Sequence, residues 1–255
     1  MGRLQSRVAI ITGGASGIGA AMVRSFGAEG ASVVIADVQA GLGADVATET
    51  GAIFHEIDVA EDAAWAQLMA MVADRFGRLD VVVNNAGIVS GQSIEDIDLA
   101  TWSRVIDVNL TGVMLGCRHG ITAMKGNPGG PGGALINVAS TAAYAAIPTD
   151  AAYSATKSAV RLLTKAVAAH CARSGYNIRC NSLHPGATDT PILAPALAAA
   201  PQLLPVFHSM SPMGRMGRPE EIAAMAVFLA SDEASYVTGG EFLVDGGMMA
   251  GHPGM

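Results

Sequence analysis

The chain has 255 residues, of which 51% are hydrophobic and 15% are charged, and its formal net charge is -7. No charged or Ser-rich linker divides it, so the sequence predicts one domain over residues 1–255. The negative charge and the absence of Lys/Arg clusters argue against nucleic acid or an anionic membrane as a partner. Prolines and glycines interrupt the long uncharged stretches, so no membrane span is expected.

Short apolar runs alternate along the chain with segments in which apolar residues recur at helical spacing. The predicted strands are 8–11, 32–36, 53–57, 80–83, 134–138, 178–183 and 242–244. The predicted helices are 18–28, 40–49, 62–76, 101–124, 150–173 and 219–229. Near-continuous hydrophobicity is typical of strands buried on both faces. The order predicts an α/β, single-domain, Rossmann-type fold: a doubly wound, mostly parallel seven-stranded sheet with helices on both faces.

A glycine-rich turn joins the first predicted strand to the first helix. It carries Gly13, Ser16, Gly17, Ile18 and Gly19, at a spacing that differs from the common GxGxxG fingerprint. Free backbone amides and the helix dipole at this position can hold a pyrophosphate. The alternative is a tight strand-to-helix connection without a ligand. The turn therefore predicts dinucleotide binding only together with other signals.

Asp37 supplies such a signal at the end of the second predicted strand. Its carboxylate lies about twenty residues beyond the turn, where it can accept hydrogen bonds from both ribose hydroxyls of an adenosine. The same charge would repel a 2'-phosphate, and Arg24 is the arginine nearest the turn. The expected cofactor is therefore NAD rather than NADP. The alternative is a helix cap or a loop carboxylate.

Tyr153 and Lys157 are spaced so that both side chains lie on one face of a predicted helix, and Ser140 ends the preceding apolar run. Asp150 or the threonine before it can cap that helix. A neighbouring ammonium favours the phenolate form of tyrosine, so the pair is a candidate for proton transfer. Taken alone, this spacing is more often found on a solvated helix face.

Further motifs follow in a fixed order. They are Asn-Asn-Ala-Gly at 84–87, Asn109, Pro-Gly at 185–186 and Val-Asp-Gly-Gly at 244–247. With the glycine turn and the Ser140, Tyr153 and Lys157 set, the sequence resembles the short-chain dehydrogenase/reductase family over nearly its whole length.

The resemblance implies a role for each matching position. The implied catalytic residues are Asn109, Ser140, Tyr153 and Lys157. Asp58 and Val59 match the pair that contacts adenine, and Asn109 matches the residue whose main chain holds a water in the proton path. The remaining cofactor contacts match Asn85, Ala86 and Gly87 under the cofactor, and Pro185, Gly186, Thr188 and Thr190 at the nicotinamide amide.

The implied reaction is hydride transfer between the nicotinamide and a secondary alcohol or ketone. Tyr153 is the expected base, with its pKa lowered by Lys157 and the oxidised nicotinamide, and Ser140 would bind the substrate oxygen. The uncharged segment 190–214 matches the family's substrate-covering segment and predicts an apolar small-molecule substrate. Stretches within 116–125 and 178–185 resemble bacterial hydroxysteroid dehydrogenases, which suggests a cyclic alcohol.

Two other functions share these motifs. One is a 3-oxoacyl-carrier-protein reductase, which normally prefers NADPH and needs a basic docking surface; Asp37 and the net charge argue against it. The other is a catalytically silent NAD-binding regulator, which needs no base.

The resemblance also implies a homotetramer. The histidines lack metal-ligand spacing, so no metal is expected, and three cysteines without a CxxC pair suggest a cytoplasmic protein.

Overall fold

A computed structural model describes residues 2–251, apart from the side chains of residues 195 and 196. Residues 1 and 252–255 of the predicted domain lie outside this range. The strands are β1 Val8–Thr12, β2 Ser32–Asp37, β3 Ile53–Glu56, β4 Val81–Asn84, β5 Gly132–Val138, β6 Asn177–Pro185 and β7 Glu241–Val244. All seven predicted strands are confirmed, with shifts of one to two residues at most of their ends.

The strands form one sheet in the order β3-β2-β1-β4-β5-β6-β7, and every neighbouring pair is parallel. The predicted α/β doubly wound architecture is confirmed, and the sheet is fully rather than mostly parallel. Because the strands are parallel, their carboxyl ends share one edge of the sheet, where ligands bind in this class of fold. The strand order reverses beside β1, which ends at the glycine turn.

The helices are α1 Gly17–Ala28, α2 Ala40–Thr50, α3 Asp62–Phe76, α4 Leu99–Ile106, α5 Gly112–Lys125, α6 Ala151–Arg173, α7 Ala194–Ala199, α8 Leu203–Ser209 and α9 Pro219–Ala230. The predicted helix over 101–124 is confirmed as a continuous helical stretch from Leu99 to Lys125, in which a π-helical turn at Asp107–Thr111 joins α4 to α5. Hydrophobic spacing cannot detect this change, since the apolar pattern continues across it. The segment 190–214 holds the two short helices α7 and α8, which were not predicted.

Two hydrophobic cores lie on opposite faces of the sheet. Side chains alternate between the two faces of a strand, so Val8 and Ile10 of β1 join the core containing Trp65 of α3. Ala9 and Ile11 join the core containing Phe26 of α1. Over residues 2–251, no helix combines the length and the apolar character that crossing a membrane requires.

Candidate active site

The glycine turn brings main-chain amides to the start of α1. Gly13 and Gly17 have φ values of 65° and 51°, which L side chains rarely adopt. A Cβ on Gly19 would overlap the carbonyl oxygen of Gly13. The Ser16 side chain makes no capping hydrogen bond to any residue within 2–251, so the first-turn amides keep their polarity for a ligand. This arrangement fits the pyrophosphate of a dinucleotide.

Asp37 is bound to this turn. Its side chain is buried, and its carboxylate accepts from the amides of Ala15 and Gln39, both at 3.0 Å. Asp58 lies after the adjacent strand β3, and the Ile57 amide donates to the Asp37 carbonyl at 3.1 Å. Two predicted cofactor residues are therefore neighbours at the carboxyl edge of the sheet.

Asp58 and Val59 also make contacts with the protein itself. The Asp58 carboxylate accepts from the Ala60 amide at 3.0 Å and pairs with Arg104 at 3.0 Å. The carbonyl of Val59 accepts from the Trp65 indole at 2.9 Å. These contacts fix both residues after β3, and the ion pair with Arg104 could not be predicted from local sequence pattern.

The Asn-Asn-Ala-Gly segment after β4 is bound to the glycine turn. The Asn85 side chain donates to the carbonyls of Thr12 and Gly13 at 2.9 and 3.2 Å. The Thr12 hydroxyl accepts from the amides of Asn85 and Ala86 at 2.9 and 3.0 Å. Thr12 therefore joins two motifs that are far apart in sequence. On the reactive side, a Cβ on Gly87 would lie 3.4 Å from Lys157 Nζ.

Ser140, Tyr153 and Lys157 meet at the same edge of the sheet. Ser140 follows β5, while Tyr153 and Lys157 lie on α6, whose start is capped by Asp150 as predicted. The Ser140 side chain lies close enough to the Tyr153 hydroxyl to lower the pKa of the phenol. Lys157 Nζ donates to the Val138 carbonyl at 2.9 Å and lies 5.4 Å from the centre of the Tyr153 ring.

Burial opposes the charged forms of both α6 side chains. It lowers the pKa of Lys157 to about 8. Burial also raises the pKa of Tyr153; the hydrogen bond from Ser140 lowers it in part, and the charge of Asp150 raises it. The groups of the chain alone therefore do not produce the lowering of the Tyr153 pKa that the spacing predicted.

Asn109 lies in the π-helical turn and is fully buried. Its side-chain amide donates to the Ile88 carbonyl and accepts from the Ile88 amide, both at 2.8 Å. The amide group also donates to the Thr156 hydroxyl at 3.3 Å. With its side chain held in this way, Asn109 links α6 to the loop after β4, next to Lys157 and Gly87.

The segment after β6 runs over the glycine turn. The Gly186 amide donates to the Val244 carbonyl at 3.0 Å, which seats the segment on β7. The hydroxyls of Thr188 and Thr190 donate to the carbonyls of Gly186 and Thr188 at 3.0 and 3.2 Å. A Cβ on Gly17 would meet Thr190 at 3.4 Å. Thr190 therefore lies against the glycine turn, and Pro185, Gly186 and Thr188 lead to it from the end of β6.

Comparisons with known proteins agree with this geometry. A family model of short-chain dehydrogenases, described as enoyl-(acyl carrier protein) reductase, matches residues 13–249. The NADP-dependent (R)-specific alcohol dehydrogenase of Lentilactobacillus kefiri is 41% identical, covering 97% of this chain and 98% of its own. The 3-beta-hydroxysteroid dehydrogenase of Comamonas testosteroni is 40% identical, covering 97% of both chains. The 3-alpha-(or 20-beta)-hydroxysteroid dehydrogenase of Mycobacterium tuberculosis is 42% identical, covering 98% of this chain and 92% of its own.

The chain belongs to the short-chain dehydrogenase/reductase family. This short-chain dehydrogenase is an oxidoreductase that transfers a hydride between a nicotinamide cofactor and a secondary alcohol or the corresponding ketone. A silent regulator is not supported. The alternative of a 3-oxoacyl-carrier-protein reductase is no better supported, although the description of the family model names a carrier-protein substrate.

Two residues with contacts in this site were not assigned a site role from the sequence. Asp150 is more than a helix cap, because its carboxylate also accepts from the amides of Ser90 and Gly91, each at 3.0 Å. His184 is fully buried against the main chain of Ser140. Only the position of His184 next to the Pro-Gly motif could have drawn attention to it.

Within residues 2–251, no group of three or more His, Cys, Asp or Glu side chains is placed to hold a metal ion.

Proposed function

We propose that this short-chain dehydrogenase uses NAD to oxidise an apolar, ring-shaped secondary alcohol of the hydroxysteroid kind, or to reduce the matching ketone. The observation that carries the proposal is the meeting of Ser140, Tyr153 and Lys157 at the sheet edge that also holds the glycine turn and Asp37. When bound there, the nicotinamide supplies the hydride acceptor or donor.

Tyr153 is the proposed proton acceptor during oxidation. The hydroxyl proton of the alcohol must leave as the hydride leaves, and the Tyr153 oxygen lies beside Ser140, which can hold the same substrate oxygen. Burial raises the pKa of Tyr153, so the side chain is a phenol in the free protein near neutral pH. In the reduction direction, this phenol already carries the proton that it donates.

Lys157 is the proposed link between this proton transfer and the cofactor. Because burial lowers its pKa only to about 8, the ammonium remains charged near neutral pH. Its ammonium has three N–H groups, and within residues 2–251 one of them is used by the hydrogen bond to the Val138 carbonyl. The other two can donate to the ribose hydroxyls of the nicotinamide nucleotide. The same charge stabilises the phenolate of Tyr153 as it forms.

The preference for NAD rests on Asp37. The carboxylate is already held by the amides of Ala15 and Gln39, so it cannot move away from a 2'-phosphate without losing both bonds. One relative is named as NADP-dependent, so the choice must be measured on this enzyme. The test compares kcat/KM with NAD and with NADP. A preference for NADP would contradict the proposal.

An apolar substrate is proposed from the segment 190–214. Ile192, Leu204 and Met213 of this segment are exposed, and its two ends are anchored. Thr188 before the segment pairs with Gly217 after it, which ties the two ends together, and near the second end the Ser211 hydroxyl donates to the Gly246 carbonyl at 2.8 Å. We infer that the segment covers the site. Buried Ala142 and Ala143 would form an uncharged wall.

A screen with cyclohexanol, a 3-hydroxysteroid and a ring alcohol bearing a carboxylate tests this substrate class. The uncharged rings are expected to give the higher kcat/KM, because no charge on the apolar walls would offset desolvation of a carboxylate. Faster turnover of the charged alcohol would reject the proposed class.

A homotetramer is proposed from the family and from α6, on which Ala155, Leu162, Ala166 and Ala169 are exposed. Light scattering during gel filtration would give the mass in solution, and a monomer would contradict the proposal.

A cytoplasmic location remains a prediction from Cys117, Cys171 and Cys180, which are all buried and free. Fractionation of cells that express the protein tests it.

A further inference from the structure

A buried imidazole lies directly behind Ser140. The His184 ring is fully inaccessible to solvent near the end of β6. Its Nδ1 lies 3.1 Å from the main-chain oxygen of Ser140, and its Nε2 lies 2.8 Å from the hydroxyl of Ser182. Both ring nitrogens therefore have partners, and one of these partners is the main chain of a residue in the proposed active site.

The partners decide the tautomer of this histidine. A carbonyl oxygen only accepts, so we assign the proton to Nδ1, which donates to Ser140. Nε2 then accepts from the Ser182 hydroxyl, whose 2.8 Å distance to Nε2 is shorter than its 3.2 Å distance to the Gly240 carbonyl. Burial lowers the pKa of His184, and nearby Arg161 and Lys157 lower it further, although the Ser140 hydrogen bond and Glu241 raise it. The imidazole is accordingly neutral near pH 7.

A second group of side chains fixes the plane of the ring. The Tyr144 ring packs on His184 with centroids 5.0 Å apart. The Tyr144 hydroxyl donates to Glu241, which also pairs with Arg161 and Lys165, each at 2.8 Å. Burial and the Glu241 hydrogen bond raise the pKa of Tyr144 to about 12, so it remains a donor at neutral pH.

Ser140 needs this support because it lies at a change of structure. The residue is extended, with φ of -171°, between β5 and the short 3-10 turn Thr141–Ala143. Its carbonyl accepts from the Ala143 amide at 3.0 Å as well as from His184, and its hydroxyl accepts from the Ala142 amide at 3.1 Å. A rotation of this peptide would carry the hydroxyl away from Tyr153.

We propose that His184 is a positioning residue for the reaction: its Nδ1–H holds the main chain of Ser140 so that the Ser140 hydroxyl stays on Tyr153. The inference rests on the proposed role of Ser140. It does not require His184 to touch the substrate or the cofactor.

Two substitutions separate this role from simple packing. In His184→Asn the amide group can occupy the place of Nδ1 and still donate to Ser140. In His184→Gln it can reach only the place of Nε2, beside Ser182. We expect His184→Gln to lower kcat by about 10- to 100-fold, the effect of a misplaced reacting group, and His184→Asn to retain most of kcat. Equal losses in the two variants would overturn the inference.

The assay uses NAD and the best alcohol of the screen above, with cofactor dissociation constants from fluorescence titration with NADH. The cofactor dissociation constant is expected to be unchanged in both variants, because the cofactor contacts lie on other residues. Exposed His170 on α6 gives the matched control, and His170→Gln should leave kcat unchanged. If His184→Gln does not fold, Ser182→Ala removes the Nε2 partner and should lower kcat without changing the cofactor dissociation constant; an unchanged kcat would overturn the inference.

A double-mutant cycle with Ser140→Ala distinguishes failure of the two proposals. If His184 acts through Ser140, then His184→Gln should cause no further loss of kcat in the Ser140→Ala background. Losses that multiply would overturn the His184 inference while leaving the role of Ser140 intact. An unchanged kcat in Ser140→Ala alone would reject the proposed role of Ser140, and the His184 inference with it.

Discussion

The ammonium of Lys157 lies 5.4 Å from the centre of the Tyr153 ring. Burial opposes the charged form of each partner, since it lowers the pKa of Lys157 and raises that of Tyr153. The fold therefore holds both groups where their charged forms are less favourable than they are in water. Electrostatic destabilisation of this kind is common at functional sites, where other parts of the fold supply the stability.

Tyr153→Phe tests the proposed proton acceptor. The substitution removes the hydroxyl and keeps the ring, so we expect kcat to fall about 10²- to 10⁴-fold, the usual contribution of general acid–base catalysis. NADH binding should remain nearly unchanged. Steady-state kinetics and fluorescence titration on the same sample provide the two measurements, and retained turnover would remove Tyr153 from the mechanism.

Lys157→Met should weaken cofactor binding and raise the kinetic pKa of alcohol oxidation, yet stabilise the free protein. The pKa of Lys157 is about 8 in the fold against 10.5 in the unfolded chain. The buried charge therefore costs the native state about 3 kcal/mol at pH 7, and the lost hydrogen bond to Val138 offsets part of this. The expected net gain in the free energy of unfolding is about 1 to 2 kcal/mol.

The pH dependence of that gain follows from the two pKa values. Between pH 8 and 10.5 the unfolded chain binds more protons at this site than the native protein does, so the wild type becomes more stable as pH rises. The advantage of Lys157→Met should therefore shrink across this window. Urea unfolding at several pH values measures it, and a lower stability of the variant at pH 7 would argue against a buried charge.

Asp37→Asn should relax cofactor choice. The amide keeps the shape of the carboxylate, and its oxygen can still accept one of the two bonds from Ala15 and Gln39. Without the negative charge, the ratio of kcat/KM for NADP to that for NAD is expected to rise about 10- to 100-fold. Asp45→Asn alters an exposed carboxylate of α2 and serves as the control. An unchanged ratio in Asp37→Asn would show that another residue sets the preference.

Two glycines of α1 give a matched pair. A Cβ at Gly19 would overlap the Gly13 carbonyl and crowd the Asn85 side chain, whereas a Cβ at Gly27 meets nothing within 4 Å. Gly19→Ala should distort the turn and greatly weaken NADH binding. Gly27→Ala should leave binding intact and stabilise the helix by up to about 1 kcal/mol. NADH titration and thermal unfolding test both variants, and equal binding would show that the turn does not hold the dinucleotide.

Two aspartates that cap helices can be compared in the same way. Asp98 is exposed and caps α4 through the Thr101 amide at 2.8 Å, so Asp98→Ala should cost about 1 kcal/mol without changing kcat. Asp150 is buried and also holds the loop containing Ser90 and Gly91. Asp150→Ala should cost about 2 to 4 kcal/mol and lower kcat, because it leaves buried amides unpaired beside Tyr153. Urea unfolding and steady-state kinetics separate the two effects.

The seven strands and their parallel arrangement could be read from the sequence. Runs such as 8–11 and 80–83 are apolar at successive positions, which occurs when both faces of a sheet are covered. The helix containing Tyr153 and Lys157 was equally clear from local spacing and from the capping residue Asp150. The π-helical turn at Asp107–Thr111 within the predicted helix could not be read from the sequence, because a π turn changes the hydrogen-bond register of a helix without changing its composition.

Local pattern thus determined the elements, the order in which they occur and the residue types at the sheet edge. Tertiary structure alone decided which groups touch across long separations in the chain, as Asp37 does with Ala15, Asp150 with Ser90, and His184 with Ser140. It also decided the direction of the Tyr153 pKa in the free protein, which burial raises although Lys157 lies nearby. The physical reason is that spacing places a charge near a phenol, whereas the loss of water around both depends on every element packed over them.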